Sequence, residues 1–384
     1  MGQHSHLHFA VKAAATCALF TTTSQLQAQG GIFDPNIPTA LPLGQMYNQQ
    51  GYQQPQNYQA RQQPRYQAPQ QQYQQPRHQY RQPMPQPAAN HQPHLQQASF
   101  AQPRQQYPIG APAGGTVWSR VTKTYGLPDY SNNYRVKKYI RSYGSKPSHM
   151  STLFQRADPF MHMIIEEVNR RGIPAEIALL PFVESGFRLD VFSHASAAGL
   201  WQFIPSTGRA YGLKQTRGFD ARMDPFAATN AALNYLQKLH REFKGDWLKA
   251  LAAYNCGENC VHRAVAKARR AGKSPSYWNL SLPKETMNYV PRLLAFRELL
   301  GKSNQYGLRL PATPNSAKLV QVSLSKPVNL RQAALRAGLP GNLLTRLNPN
   351  FRKGITQPGL SDRIAVPRKN VDRLIQVLRT MPPA

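Results

Sequence analysis

From Gln45 to Pro108 the chain has no Asp or Glu and almost no aliphatic residue, being built from Gln, Pro, Tyr, Arg, Asn and Ala. Such a segment cannot bury enough apolar surface to offset the entropy of ordering it, and is expected to be disordered. Any packed core is therefore confined to roughly Thr116 onward in a chain of 384 residues.

The formal net charge is +30, from 47 Lys and Arg against 17 Asp and Glu. A field of that size implies an anionic partner or surface. Nucleic acid, a bacterial cell wall and an anionic membrane face all meet the requirement. No zinc finger, RNP or helix-turn-helix signature supports nucleic acid. The Gln/Pro/Arg/Tyr segment could stack on single strands, but a solvated spacer with scattered Arg is the plainer reading. Near the start, Ala13 to Phe20 is a short apolar run and Ala28 offers a small residue for cleavage. This reads as an export leader over 1–28, despite a His-rich start and a bulky Leu26. It is too short to span a membrane. Export places the chain in the periplasm or cell envelope, where outer-membrane association is open. Lipidation would fall on Cys17, although the residues before it lack the Leu that opens a lipidation box. His4, His6 and His8 could hold a metal, but they lie in the leader.

Cys256 and Cys260 stand four apart at a predicted helix end. An oxidising compartment permits a disulfide, yet pairing along a regular helix is strained, so a bond and two small buried thiols both remain open. No His pair stands beside them at ligand spacing, so no metal is expected.

From Asp158 the pattern is one helix after another. Asp158-Pro159 reads as a cap followed by proline at the first helical position. Phe160, Ile164 and Val168 continue as a core stripe. Pro174 opens a helix toward Glu184, Asp224-Pro225 repeats the cap signal, and Asp246 caps another helix. Pro283 opens a last group that Pro291 kinks or splits. After Gly301 and a Pro-containing linker, two strands (about 319–324 and 363–367) bracket two short helices, and a final helix covers about 371–378. The predicted class is mainly α. It comprises a disordered linker over 29–115, a helical lead-in over 116–154, an all-α domain over 155–305 and a small β-α-α-β module over 316–384.

No Walker loop, Gly-x-Gly-x-x-Gly, His-Glu-x-x-His or Gly-x-Ser-x-Gly is present. No cofactor is expected. Glu184 closes the apolar run Ile177 to Val183, and Gly199-Leu200-Trp201-Gln202 follows fifteen residues later. A carboxyl at such a place has a raised pKa and can act as a general acid. Glycosidases ordinarily need two carboxyls. The other acids here read as caps or surface residues, so a single-acid mechanism is the acceptable one. In it the acid protonates the leaving oxygen and then takes a proton from a hydroxyl of the same sugar.

Glu184-Ser185, the tract Ser193 to Pro205, Ala253-Tyr254-Asn255-Cys256-Gly257, and Glu285-Thr286 with Tyr289-Val290-Pro291 resemble four ordered motifs. They are those of the lytic transglycosylase, goose-lysozyme-like family, most nearly its membrane-bound murein D-type branch. The resemblance runs from about Trp118 to the end of the chain. It implies a lysozyme-like all-α catalytic domain acting on peptidoglycan glycan strands; a monomer is expected. It assigns the acid/base role to Glu184 and polar substrate contacts to Ser193 and Gln202. Tyr254 becomes the residue that orients Glu184 or stabilises developing charge, Asn255 a holder of its turn, and Tyr289 an aromatic on the cleft floor. The implied reaction cuts the β-1,4 bond between N-acetylmuramic acid and N-acetylglucosamine, leaving a 1,6-anhydromuramyl end. Hydrolysis of the same bond by a goose-type muramidase, and a non-catalytic wall-binding protein, are the alternatives. The C-terminal module resembles a degenerate LysM, with Ser325-Lys326-Pro327-Val328 in place of the usual opening.

Overall fold

The computed structural model describes residues 115–384. The leader, Cys17, the His4, His6 and His8 cluster, and all of the Gln/Pro-rich linker up to residue 114 lie outside the described residues. Among the described residues no helix is long and apolar enough to cross a membrane.

Helices α1 (Val117–Lys123), α2 (Tyr134–Gly144) and α3 (Pro147–Arg170) come first. A 3-10 segment, Ala175–Leu179, leads into the short α4 (Leu180–Glu184). There follow α5 (Pro205–Ala210), α6 (Pro225–Glu242), α7 (Trp247–Cys256), α8 (Glu258–Arg270) and α9 (Lys284–Gly301). The caps of α6 and α7 form as their sequences dictate: Asp224 accepts from the amides of Phe226 and Ala227, and Asp246 from that of Lys249.

An expected cap fails at one proline, and of the kink or split expected at another, no split occurs. Asp158 does not cap a helix, because α3 runs from Pro147 straight through Pro159, and the 154/155 boundary falls inside that helix. The Asp158 carboxyl instead accepts from Thr313 Oγ1 and Lys318 Nζ. Burial pushes its pKa up, and Lys318 only partly offsets this. Pro291 likewise sits inside an unbroken α9. A proline forfeits one backbone hydrogen bond. The apolar residues of both helices are buried, and that burial outweighs the loss.

The core is built on α9, which packs against α2, α4 and α7. Phe182 of α4 stacks on Phe296 of α9 at 4.7 Å and meets Phe154 and Phe187 edge-on. That aromatic cluster, fully buried at Phe182, Phe154 and Phe296, fixes where α4 ends. Glu176, also fully buried, accepts from the amides of Gly126 and Leu127 and from Arg297 Nε at 3.0–3.1 Å. It ties the approach to α2 to both α4's lead-in and α9.

In the C-terminal module, β1 (Leu319–Ser323) and β2 (Arg363–Pro367) pair antiparallel with Gln321 opposite Ala365. Helices α10 (Leu330–Arg336) and α11 (Leu343–Leu347) lie between them in sequence and α12 (Val371–Thr380) follows. Asn348 fastens α11 to β2, its amide donating to Ala365 O at 2.8 Å and its Oδ1 accepting from Ala365 N at 2.6 Å.

Candidate active site

Helix α4 stops because Gly186 (φ +59) and Phe187 (φ +60) turn the chain in the left-handed region. Glu184 stands at that stop, half-buried. Its Oε1 accepts a hydrogen bond from the Tyr289 hydroxyl on α9. Burial drives the Glu184 pKa up to about 8, and the negative charge of Glu285 adds to the rise. The Tyr289 hydrogen bond works the other way and is outweighed. A carboxyl with that balance is largely protonated at neutral pH, yet it keeps part of its surface open to a ligand. Burial and the nearby Glu184 charge also push the Tyr289 and Tyr254 phenols well above their ordinary range. Both therefore serve as hydrogen-bond donors.

The loop 191–203 runs beside this acid. Ser185 Oγ donates to Leu200 O at 2.9 Å, and the Tyr254 hydroxyl donates to Trp201 O at 2.8 Å. Trp201 is fully buried, with Nε1 donating to Thr229 Oγ1, so it is a core residue. The loop folds on itself through Phe192 paired with Ala198 and Ala198 paired with Phe203. Gly199 (φ +77) lies so close to the next segment that a Cβ there would sit 2.0 Å from Arg222 O. Ser196 and Gln202 also take positive φ.

The sequence-predicted residues divide in three. Glu184 and Tyr289 are in direct contact, and Tyr254 is close enough for its phenol to feel the Glu184 charge. The hydrogen bond to Glu184 comes from Tyr289, while the Tyr254 hydroxyl is committed to the loop backbone. Gln202 spends Nε2 on Gly199 O at 2.8 Å, and among the described residues Oε1 takes no protein partner. Exposed Ser193 bonds its own loop, Oγ accepting from Ala197 N at 3.1 Å. Asn255 accepts from Thr286 Oγ1 at 2.7 Å, bridging the end of α7 to the first turn of α9.

Cys256 and Cys260 are disulfide-bonded, with Cα atoms 5.9 Å apart. Gly257 (φ +84) ends α7 between them, so the bond spans a break and not a continuous helix. Among the described residues no group of His, Cys, Asp and Glu could hold a metal.

Sequence reasoning missed a buried ion pair behind the loop. Asp220, 1% exposed, receives Nε and Nη2 of Arg222 at 2.9 and 2.8 Å. Arg222 Nη1 donates onward to Ser196 O and Phe203 O at 2.7 and 3.0 Å. Burial opposes the Asp220 charge, but the Arg222 contacts win and hold its pKa low. Asp220 also caps the 3-10 turn Ala221–Met223, accepting from Arg222 N at 3.2 Å, but a turn of three residues carries no periodicity that would mark the pair in the sequence.

The family model described as Transglycosylase SLT domain matches residues 162–276, a span holding Glu184, Gln202 and Tyr254. The chain carries a transglycosylase SLT domain. Behind the SLT domain, the family model for the lytic transglycosylase MltD LysM-like domain matches residues 318–382. The chain is 42% identical over 266 residues to membrane-bound lytic murein transglycosylase D of Escherichia coli, covering 69% of this chain and 58% of that protein. It thus spans less than two thirds of that relative's length. It is also 32% identical over 150 residues to peptidoglycan transglycosylase gp16 of Escherichia phage T7, covering 38% of this chain and 10% of that one. Among solved structures, lytic transglycosylase Slt of Pseudomonas aeruginosa overlaps it weakly, at 23% identity and TM-score 0.31 over 37% of this chain and 24% of that one.

Proposed function

We propose that the protein is a peptidoglycan lytic transglycosylase with Glu184 as its one acid/base. The observation that carries this reading is a carboxyl with its pKa raised to about 8, hydrogen-bonded by Tyr289 and set at the end of an apolar helix within the SLT-matched span. With Oε1 accepting from Tyr289, the acid proton sits on Oε2. Glu184 gives that proton to the glycosidic oxygen between N-acetylmuramic acid and N-acetylglucosamine, and the bond to the muramyl C1 breaks. The resulting carboxylate takes the proton of the muramyl C6 hydroxyl as its oxygen bonds to C1. A 1,6-anhydro ring forms, no water is consumed, and Glu184 is reprotonated for the next turnover.

Gln202 Oε1 and the exposed Ser193 are the polar groups for the sugar's amide and hydroxyls. Tyr254 keeps the loop against the acid, and Asn255 holds the α7–α9 junction under it. The similarity to a membrane-bound relative and the basic charge support a place in the cell envelope, against the anionic wall.

The test is digestion of purified peptidoglycan followed by mass analysis of the muropeptides. Transglycosylation yields products lighter by one water than those of hydrolysis. Hydrated reducing ends alone would overturn the reading, as would full activity in a folded Glu184→Gln variant.

A further inference from the structure

The C-terminal module is bonded to the segment behind the loop 191–203. Asp220 N donates to Asn350 O at 2.9 Å, and Arg352 N donates to Gly218 O at 3.0 Å. Phe219 and Phe351 lie opposite each other as a bridge pair, their rings 5.3 Å apart. Arg352 Nη2 reaches the same Asp220 oxygen, Oδ2, that Arg222 holds, at 3.1 Å against 2.8 Å.

The buried Asp220 carboxylate is therefore shared by two guanidinium groups. One, Arg222, holds the loop by the carbonyls of Ser196 and Phe203. The other, Arg352, belongs to the module. Both also flank the half-exposed Phe192 ring, at 6.0 and 5.8 Å from its centroid. Phe192 is the residue before Ser193. A loop with three positive-φ residues, Ser196, Gly199 and Gln202, does not keep its shape by local preference. Its geometry is imposed from behind.

We propose that Arg352 is a positioning residue for the substrate loop, acting through Asp220 and Arg222 and against Phe192, so that the module is a working part of the SLT-domain site. The proposal rests on the reading that loop 191–203 contacts the glycan. Loss of Arg352 leaves Arg222 to satisfy Asp220 alone and removes one of the two cations beside the Phe192 ring. Ser193 and Gln202 then lose their preset placement while Glu184 and Tyr289, held by α4 and α9, keep theirs. Binding suffers and the chemical step does not.

Steady-state cleavage of soluble glycan strands by the full chain tests this, comparing wild type, Arg352→Ala, Arg352→Lys and Glu184→Gln. Arg352→Ala is expected to raise KM about fivefold or more with kcat within about twofold, and to leave the alkaline limb of the pH profile unmoved. Arg352→Lys keeps the charge and is expected to recover at least half of the KM loss, a split that mere loss of stability does not produce. A KM for Arg352→Ala within about twofold of wild type overturns the proposal, and so does a fall in kcat at constant KM. Persistent activity in Glu184→Gln would instead overturn the functional reading itself, so the two failures are distinguishable.

Discussion

The Tyr289 hydroxyl donates its hydrogen bond to Oε1 of Glu184, joining α9 to the end of α4 across 105 residues of sequence. The bond stabilises the charged form of the acid, while burial and Glu285 favour the neutral one. The neutral form prevails at pH 7 because desolvation is the largest of these influences.

Activity that needs protonated Glu184 in the free enzyme declines as pH rises through about 8. A profile of kcat/KM against pH is expected to show that alkaline limb. A flat profile through pH 9 contradicts the assignment.

Tyr289→Phe removes the one contact that lowers the Glu184 pKa. The alkaline limb should move to higher pH, and kcat should fall by about tenfold or more as the acid loses its orientation. A limb that moves to lower pH refutes the role given to this hydroxyl.

Glu184 also links stability to pH. Its folded pKa, about 8, lies above its ordinary 4.5. Between those values the folded state holds a proton that the unfolded state has released, so stability falls as pH rises through that window. Glu184→Gln abolishes this dependence. Its melting temperature relative to wild type should therefore be higher at pH 8 than at pH 5, measured by calorimetry.

Gly199→Ala would drive a Cβ into Arg222 O and impose a side chain on φ +77. A destabilisation of at least about 2 kcal/mol is expected, from denaturant midpoints. Gly212, at φ +79 with open space for a Cβ, should cost about 1 kcal/mol on the same change.

Replacing Cys256 and Cys260 by Ser opens a short disulfide loop over Gly257. The chain-entropy relation gives a loss of about 2 kcal/mol for so small a loop. Reductant should lower the wild-type melting temperature to that of the double variant and leave the variant unchanged.

Helix starts at Asp224 and Asp246, the apolar stripes, and the β-α-α-β order of the module were legible in the chain. Each such signal acts within a turn or two of backbone: a cap satisfies amides two or three residues on, and a stripe repeats with the helix period. Glu184 was legible because its apolar run and the motifs that follow are local patterns too. The tertiary structure alone decided that Asp158 lies within α3 and serves Lys318, that Tyr289 is hydrogen-bonded to the acid while Tyr254 is bonded to the loop, and that Asp220 joins Arg222 to Arg352. It also decided how far the Glu184 pKa rises. Desolvation and long-range hydrogen bonds depend on which elements pack together, and no residue's neighbours in sequence specify that packing.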